Sequence, residues 1–142
     1  MTQGRPGARI TADGSPVDVY TRLPLDDDVE IVAAHCSTGG SVLDLGAGGG
    51  RVADPLACAG FSVTAVDDSV EMLSQVTKAR TVCCRIEDLT LNESFDVVLL
   101  SSHLVNTPDH ELRHALLSTA AQHAKVTGRV LIQRHPPEWF DA

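Results

Sequence analysis

Two carboxylates and a run of glycines carry the chemistry that can be read from this chain. Asp44 stands two residues ahead of Gly46, and Gly46, Gly48, Gly49 and Gly50 make up four of the chain's eleven glycines. Glycine at this density, with Ala47 inside the run, means a backbone that turns sharply or comes close to another group. A second acid, Asp67, follows the first glycine by about 20 residues, the spacing of a carboxylate that accepts from ribose hydroxyls. Together these residues predict a site for a nucleoside cofactor.

The glycine spacing narrows the choice of nucleoside. Counted from Gly46, the dinucleotide fingerprint G-x-G-x-x-G fails at Arg51. Counted from Gly48, it half-succeeds as G-x-G-x-x-A through Gly50 and Ala53, which leaves nicotinamide or flavin binding open. Asp44 discriminates further. A carboxylate beside a pyrophosphate repels it, whereas beside an ammonium group it is favourable. S-adenosylmethionine has an amino-acid tail with an ammonium group and no phosphate.

These groups need elements to position them. Ser41–Leu45 reads as a short buried strand running straight into the glycines, and residues 51–59 as a helix stopped by Gly60. Residues 61–66 form a second strand that ends in Asp67; Asp68 is the neighbouring alternative, pointing elsewhere. Ser69 is the N-cap of the next helix, with Met72 three residues on. Residues 81–85 are a third strand, followed by Ile86, Glu87, Asp88 and Leu89. Residues 94–101 are an apolar run typical of a central parallel strand. Thr107 with Pro108 behind it opens a helix to about Ala124, and residues 128–133 are a fifth strand. Ahead of all this, a helix starts near Asp27, its first turn suited to Asp26, Asp27 and Asp28 by the macrodipole.

VLDLGAGGG, with VTAVDDSVEML after it, resembles the first two motifs of the class I S-adenosylmethionine-dependent methyltransferases, and the family's pattern extends over residues 41–133. The resemblance implies an α/β fold, a Rossmann-like three-layer α/β/α sandwich with a mostly parallel sheet of order 3-2-1-4-5. It implies S-adenosylmethionine as cofactor, S-adenosylhomocysteine as product and a small-molecule acceptor. Asp44, Gly46, Ala47, Gly48, Gly50, Asp67 and Asp68 are then the cofactor-binding set. In the family the residue at Met72 often lies against the adenine; ordinary helix core is the other reading. The turn at Ile86 and Glu87 is similar to the family's adenine-recognition turn, but Arg85 stands where an Asp can accept from the adenine amino group. A backbone contact at Ile86 or the carboxylate of Glu87 would replace it. Segments ahead of the first strand often cover the cofactor in this family, so Tyr20 could pack on it and Arg22 could meet its carboxylate. Ser101 falls at the strand end beside the methyl group. His103 and His135 both follow strands at that edge and are the candidate general bases; the alternative for each is a structural histidine.

Composition sets the outer limits. At 142 residues and 43% hydrophobic content the chain suits one core, with residues 1–16 a flexible tail and 17–142 the domain. A net charge of −8 argues against nucleic acid or an anionic membrane as the main partner, and no apolar run is long enough to span a bilayer. Cys36, Cys58, Cys83 and Cys84 lack zinc spacing and are expected as reduced thiols packed in a cytoplasmic core. His110–His114 reads HELRH, matching the zinc-protease pattern. At 100° per residue, however, both histidines fall opposite Leu112, Leu116, Thr119 and Ala120, toward water. No metal is therefore expected.

Family members normally carry seven strands, the last two an antiparallel hairpin beside the fifth. This chain stops at Ala142, before that hairpin. The expectation is a fragment of a longer enzyme, or a homodimer completing the sheet along an open edge. Three functions are weighed: methyl transfer, S-adenosylmethionine or S-adenosylhomocysteine binding without catalysis, and NAD(P)- or flavin-dependent oxidoreduction.

Overall fold

The computed structural model describes residues 28–100 and 108–132. Helix α1 (Asp28–His35) precedes strand β1 (Ser41–Leu45), helix α2 (Ala53–Cys58) and strand β2 (Ser62–Asp67). Helix α3 (Val70–Leu73), strand β3 (Arg80–Cys83) and a 3-10 turn over Ile86–Asp88 follow. Strand β4 (Phe95–Leu100), helix α4 (His110–Gln122) and strand β5 (Ala124–Ile132) complete the described chain. The five strands form one sheet of order β3-β2-β1-β4-β5, parallel at every pairing. This is the order the sequence predicted.

Alternation along each strand divides the core into two layers. Leu43, Leu45, Val98, Leu100, Val130 and Ile132 pack against Leu116 and Ala120 of α4 and against Ile86 and Leu89. Val42, Val63, Ala65, Val97, Leu99 and Leu131 pack on the other face against Val32 of α1, Leu56 of α2 and Leu73 of α3. Helices thus cover both faces, as a parallel sheet requires. Among the described residues no helix is long and apolar enough to cross a membrane.

Several boundaries differ from the sequence reading, each for a local reason. Helix α2 begins at Ala53, because residues 48–52 are spent on turns and Val52 offers no side-chain cap. The carboxylate of Asp109 accepts from the N–H groups of Glu111 and Leu112 at 3.0 and 3.1 Å, so Asp109 caps α4 and Pro108 lies outside it. Thr107, the expected cap, is outside the described residues. Strand β3 ends at Cys83, and β5 starts at Ala124 with a register shift opposite Phe95 and Val97. Its exposed stretch Lys125, Val126 and Thr127 breaks the apolar pattern that marked the later residues. The cysteines are free, but only Cys36 and Cys84 pack against the core. Cys58 and Cys83 are exposed, and Cys36 and Cys84 only half-buried.

The amino edge of the sheet is held by Asp96, whose carboxylate accepts from the Ser41 N–H at 2.9 Å and from Lys125 Nζ at 3.0 Å. The Ser41 hydroxyl in turn accepts from the Asp96 N–H at 3.0 Å. The Ser41 N–H and the Lys125 ammonium hold the Asp96 carboxyl below the usual carboxylate range, against the opposing effect of burial. A depressed folded value stabilises the protein fully above the unfolded value, near pH 4, and the contribution is lost as pH falls through the folded value. The urea midpoint should therefore fall more steeply as pH drops below about 4 in the native protein than in Asp96→Asn. Parallel curves would place the acid sensitivity elsewhere.

Candidate cofactor site

Strand β1 delivers Asp44 and then the glycine bend to the carboxyl edge of the sheet. Asp44 is completely buried, with Ala65 and Leu99 as its register partners on β2 and β4. The bend closes on β2 through the N–H groups of Gly46 and Ala47, which donate to the Val66 carbonyl at 2.8 and 2.9 Å. Gly46, Gly48 and Gly50 have φ of 81°, 58° and 92°, the left-handed region where a side chain is strained. At Gly50 space is also short, since a Cβ would lie 3.0 Å from Asp54 Oδ2 and 3.1 Å from Val76 Cγ2.

Asp67, the last residue of β2, faces this bend. Its Oδ2 accepts from the Gly48 N–H at 2.8 Å and its Oδ1 from the Ser69 N–H at 3.0 Å. The carboxylate is thereby aimed, half-buried, at the edge where the strands end. An ionised carboxylate has about four lone-pair sites, so each oxygen retains acceptor capacity for a hydroxyl. Asp68 is exposed. Ser69 caps α3 as expected, accepting from the Met72 N–H at 3.1 Å. Met72 is 41% exposed, which overturns the helix-core reading; its Cε is the group nearest the position a Gly48 Cβ would occupy, at 3.4 Å.

The turn after β3 closes the far side of the site. The Cys84 N–H donates to the Asp67 carbonyl at 3.0 Å, which ties that turn to the end of β2. Ile86 is buried. Glu87 is ion-paired with Arg85 at 2.8 Å, and its own backbone N–H together with Arg85 holds its carboxyl below the usual range. The arginine that departs from the family pattern therefore grips the carboxylate offered as its replacement. Burial, with the carboxylates of Asp88 and Glu87 nearby, pushes the Cys84 thiol up.

Two features were missed in the sequence. Gln75 Oε1 would lie 2.8 Å from a Cβ on Gly49, so the α3–β3 connection lies over the glycine bend. Asp54 holds that connection, accepting from the Thr77 hydroxyl at 3.1 Å and the Lys78 N–H at 2.9 Å. Neither contact has a periodic signature. The structure brings together Asp44, Gly46, Ala47, Gly48, Gly50, Asp67 and Met72, with Ile86 and Glu87 on the adjoining turn. Tyr20, Arg22, Ser101, His103 and His135 lie outside the described residues.

Comparison with known proteins agrees with this architecture. Residues 43–132 match a family model described as a methyltransferase domain. A ubiquinone biosynthesis O-methyltransferase of Rickettsia canadensis (strain McKiel) is 33% identical over 102 residues, covering 64% of this chain and 41% of that protein. A cypemycin N-terminal methyltransferase of a Streptomyces species is 36% identical over 109 residues, covering 72% of this chain and 44% of that protein. The crystal structure of a TehB-like SAM-dependent methyltransferase from Corynebacterium glutamicum superposes with a TM-score of 0.68 at 21% identity, over 74% of this chain and 60% of that one. At that identity the likeness is one of fold. The chain spans less than half the length of these two curated relatives.

Proposed function

Because the chain belongs to the methyltransferase-domain family, we propose that it binds S-adenosylmethionine and transfers its methyl group to a small-molecule acceptor. The observation that carries this reading is the Asp67 carboxylate, anchored by the Gly48 and Ser69 N–H groups at the lip of the glycine bend. A group that only accepts hydrogen bonds suits a ribose diol, which presents two hydroxyl donors. Asp44, buried beneath the same bend, suits an ammonium tail and disfavours a pyrophosphate. That second point weighs against the dinucleotide reading.

When bound, the cofactor supplies a sulfonium methyl whose leaving thioether needs no proton. The protein's part is alignment and exclusion of water. Asp67 and the glycine bend would fix the nucleoside, Met72 would lie over the adenine, and Ile86 and Glu87 would flank it. Ser101 would stand beside the methyl group, and Tyr20 and Arg22 would close over the cofactor. His103 and His135 are the bases to test if the acceptor carries a proton that must leave.

Among the described strands β3 and β5 are the sheet edges. A second copy pairing along β5 is the association that sedimentation analysis would detect. The cofactor test is calorimetry with S-adenosylmethionine, S-adenosylhomocysteine and NADH. Binding of the first two without the third is expected, and binding of NADH alone would transfer the chain to the oxidoreductases. Methyl transfer to a panel of acceptors, by this chain and by a C-terminally extended one, separates a catalyst from a binding module.

A further inference from the structure

No residue assigned to the cofactor site lies in the HELRH stretch, yet the fold gives it chemistry of its own. His110 and His114 both lie in the first half of α4 and both are exposed, while Leu116, Thr119 and Ala120 are buried toward the other side of the helix. Residues four apart on a helix stand on one face with their Cβ atoms about 6 Å apart, close enough for two imidazoles to converge on one ion. The Asp109 cap fixes the first turn, so this spacing is preformed. His114 Nε2 stands 3.5 Å from the Ser118 hydroxyl, the outer limit of a hydrogen bond and easily exchanged for a metal. The positive end of the helix dipole opposes a cation here, but Asp109 and Glu111 in the same turn offset it.

Neutral imidazole suits nickel, copper and zinc. Among the described residues no group of three or more histidines, cysteines or acids is placed to hold a metal. The pair would therefore act as a two-ligand chelate completed by water, unlike a catalytic zinc with its three protein ligands. We propose that His110 and His114 form a surface chelate site for a divalent transition-metal ion on the outer face of α4.

The test is titration of the whole chain with nickel chloride, followed by calorimetry and by thermal unfolding. Nickel avoids the thiol oxidation that copper would cause at the exposed Cys58 and Cys83. One ion should bind, and Tm should rise with nickel concentration because the unfolded chain lacks the preformed spacing. His110→Gln and His114→Gln should each weaken binding at least about tenfold, since the second imidazole closes the chelate as an intramolecular ligand. Both positions are exposed, so the variants should keep the native circular dichroism. Absence of nickel binding, or undiminished binding in the double variant, would overturn the site.

Discussion

Asp67→Ala is expected to weaken S-adenosylhomocysteine binding by about 5- to 150-fold, equivalent to about 1–3 kcal/mol. Two losses combine. The variant removes an ionised acceptor from the ribose hydroxyls, and it releases the Gly48 and Ser69 N–H groups that the carboxylate holds at 2.8 and 3.0 Å. The glycine bend then loses one of its contacts with β2, while the Gly46 and Ala47 bonds to the Val66 carbonyl remain. Asp67→Asn should fall between the native protein and the alanine variant, because its amide keeps one acceptor but sets an NH2 donor against an N–H donor. Calorimetry reads the dissociation constants directly. Equal affinity in native protein and Asp67→Ala would reassign the ribose acid, with Asp68 the next to be tested.

Gly128→Ala should lower stability by about 2–3 kcal/mol through overpacking. A Cβ at Gly128 would stand 2.9 Å from the Asp96 carbonyl oxygen, 3.0 Å from that of Phe95 and 3.1 Å from the Lys125 nitrogen. All three are main-chain atoms, so no side chain can swing aside. The neighbouring backbone is also tethered, since the Asp96 N–H donates to the Ser41 hydroxyl at 3.0 Å. Relief would require β5 to withdraw from β4 where their register already shifts. Urea unfolding should show a lower midpoint at unchanged slope. Gly39→Ala is the control, because nothing lies within 4 Å of its Cβ position and only its φ of 77° resists the change. A native midpoint for Gly128→Ala would mean that the two strands do not approach as described.

How much of the site was legible follows from the range of each interaction. The β1–bend–α2 unit is written in adjacent residues, apolar Val42, Leu43 and Leu45 followed by left-handed glycines. Asp67 was found because the acid follows a second apolar strand at a known spacing. The Ser69 cap was visible for the same reason, its acceptor and the Met72 N–H lying three residues apart. The start of β5 was not visible, because Lys125, Val126 and Thr127 are exposed and fall in the register shift, outside the regular pairing with β4.

The sequence by itself determined the order of the elements, the family pattern and the two acids at the bend, since hydrophobic period and turn chemistry depend on residues a few positions apart. Only the tertiary structure decided which distant polar groups meet. Asp54 reaches Thr77, 23 residues away. His123, buried, donates from Nδ1 to the Thr119 carbonyl at 2.8 Å and accepts from the Leu91 N–H at Nε2, 32 residues away, at 3.0 Å. Such bonds leave no period in the chain. They exist because packing the helices on the sheet brings distant polar groups out of water together, where each must find a partner.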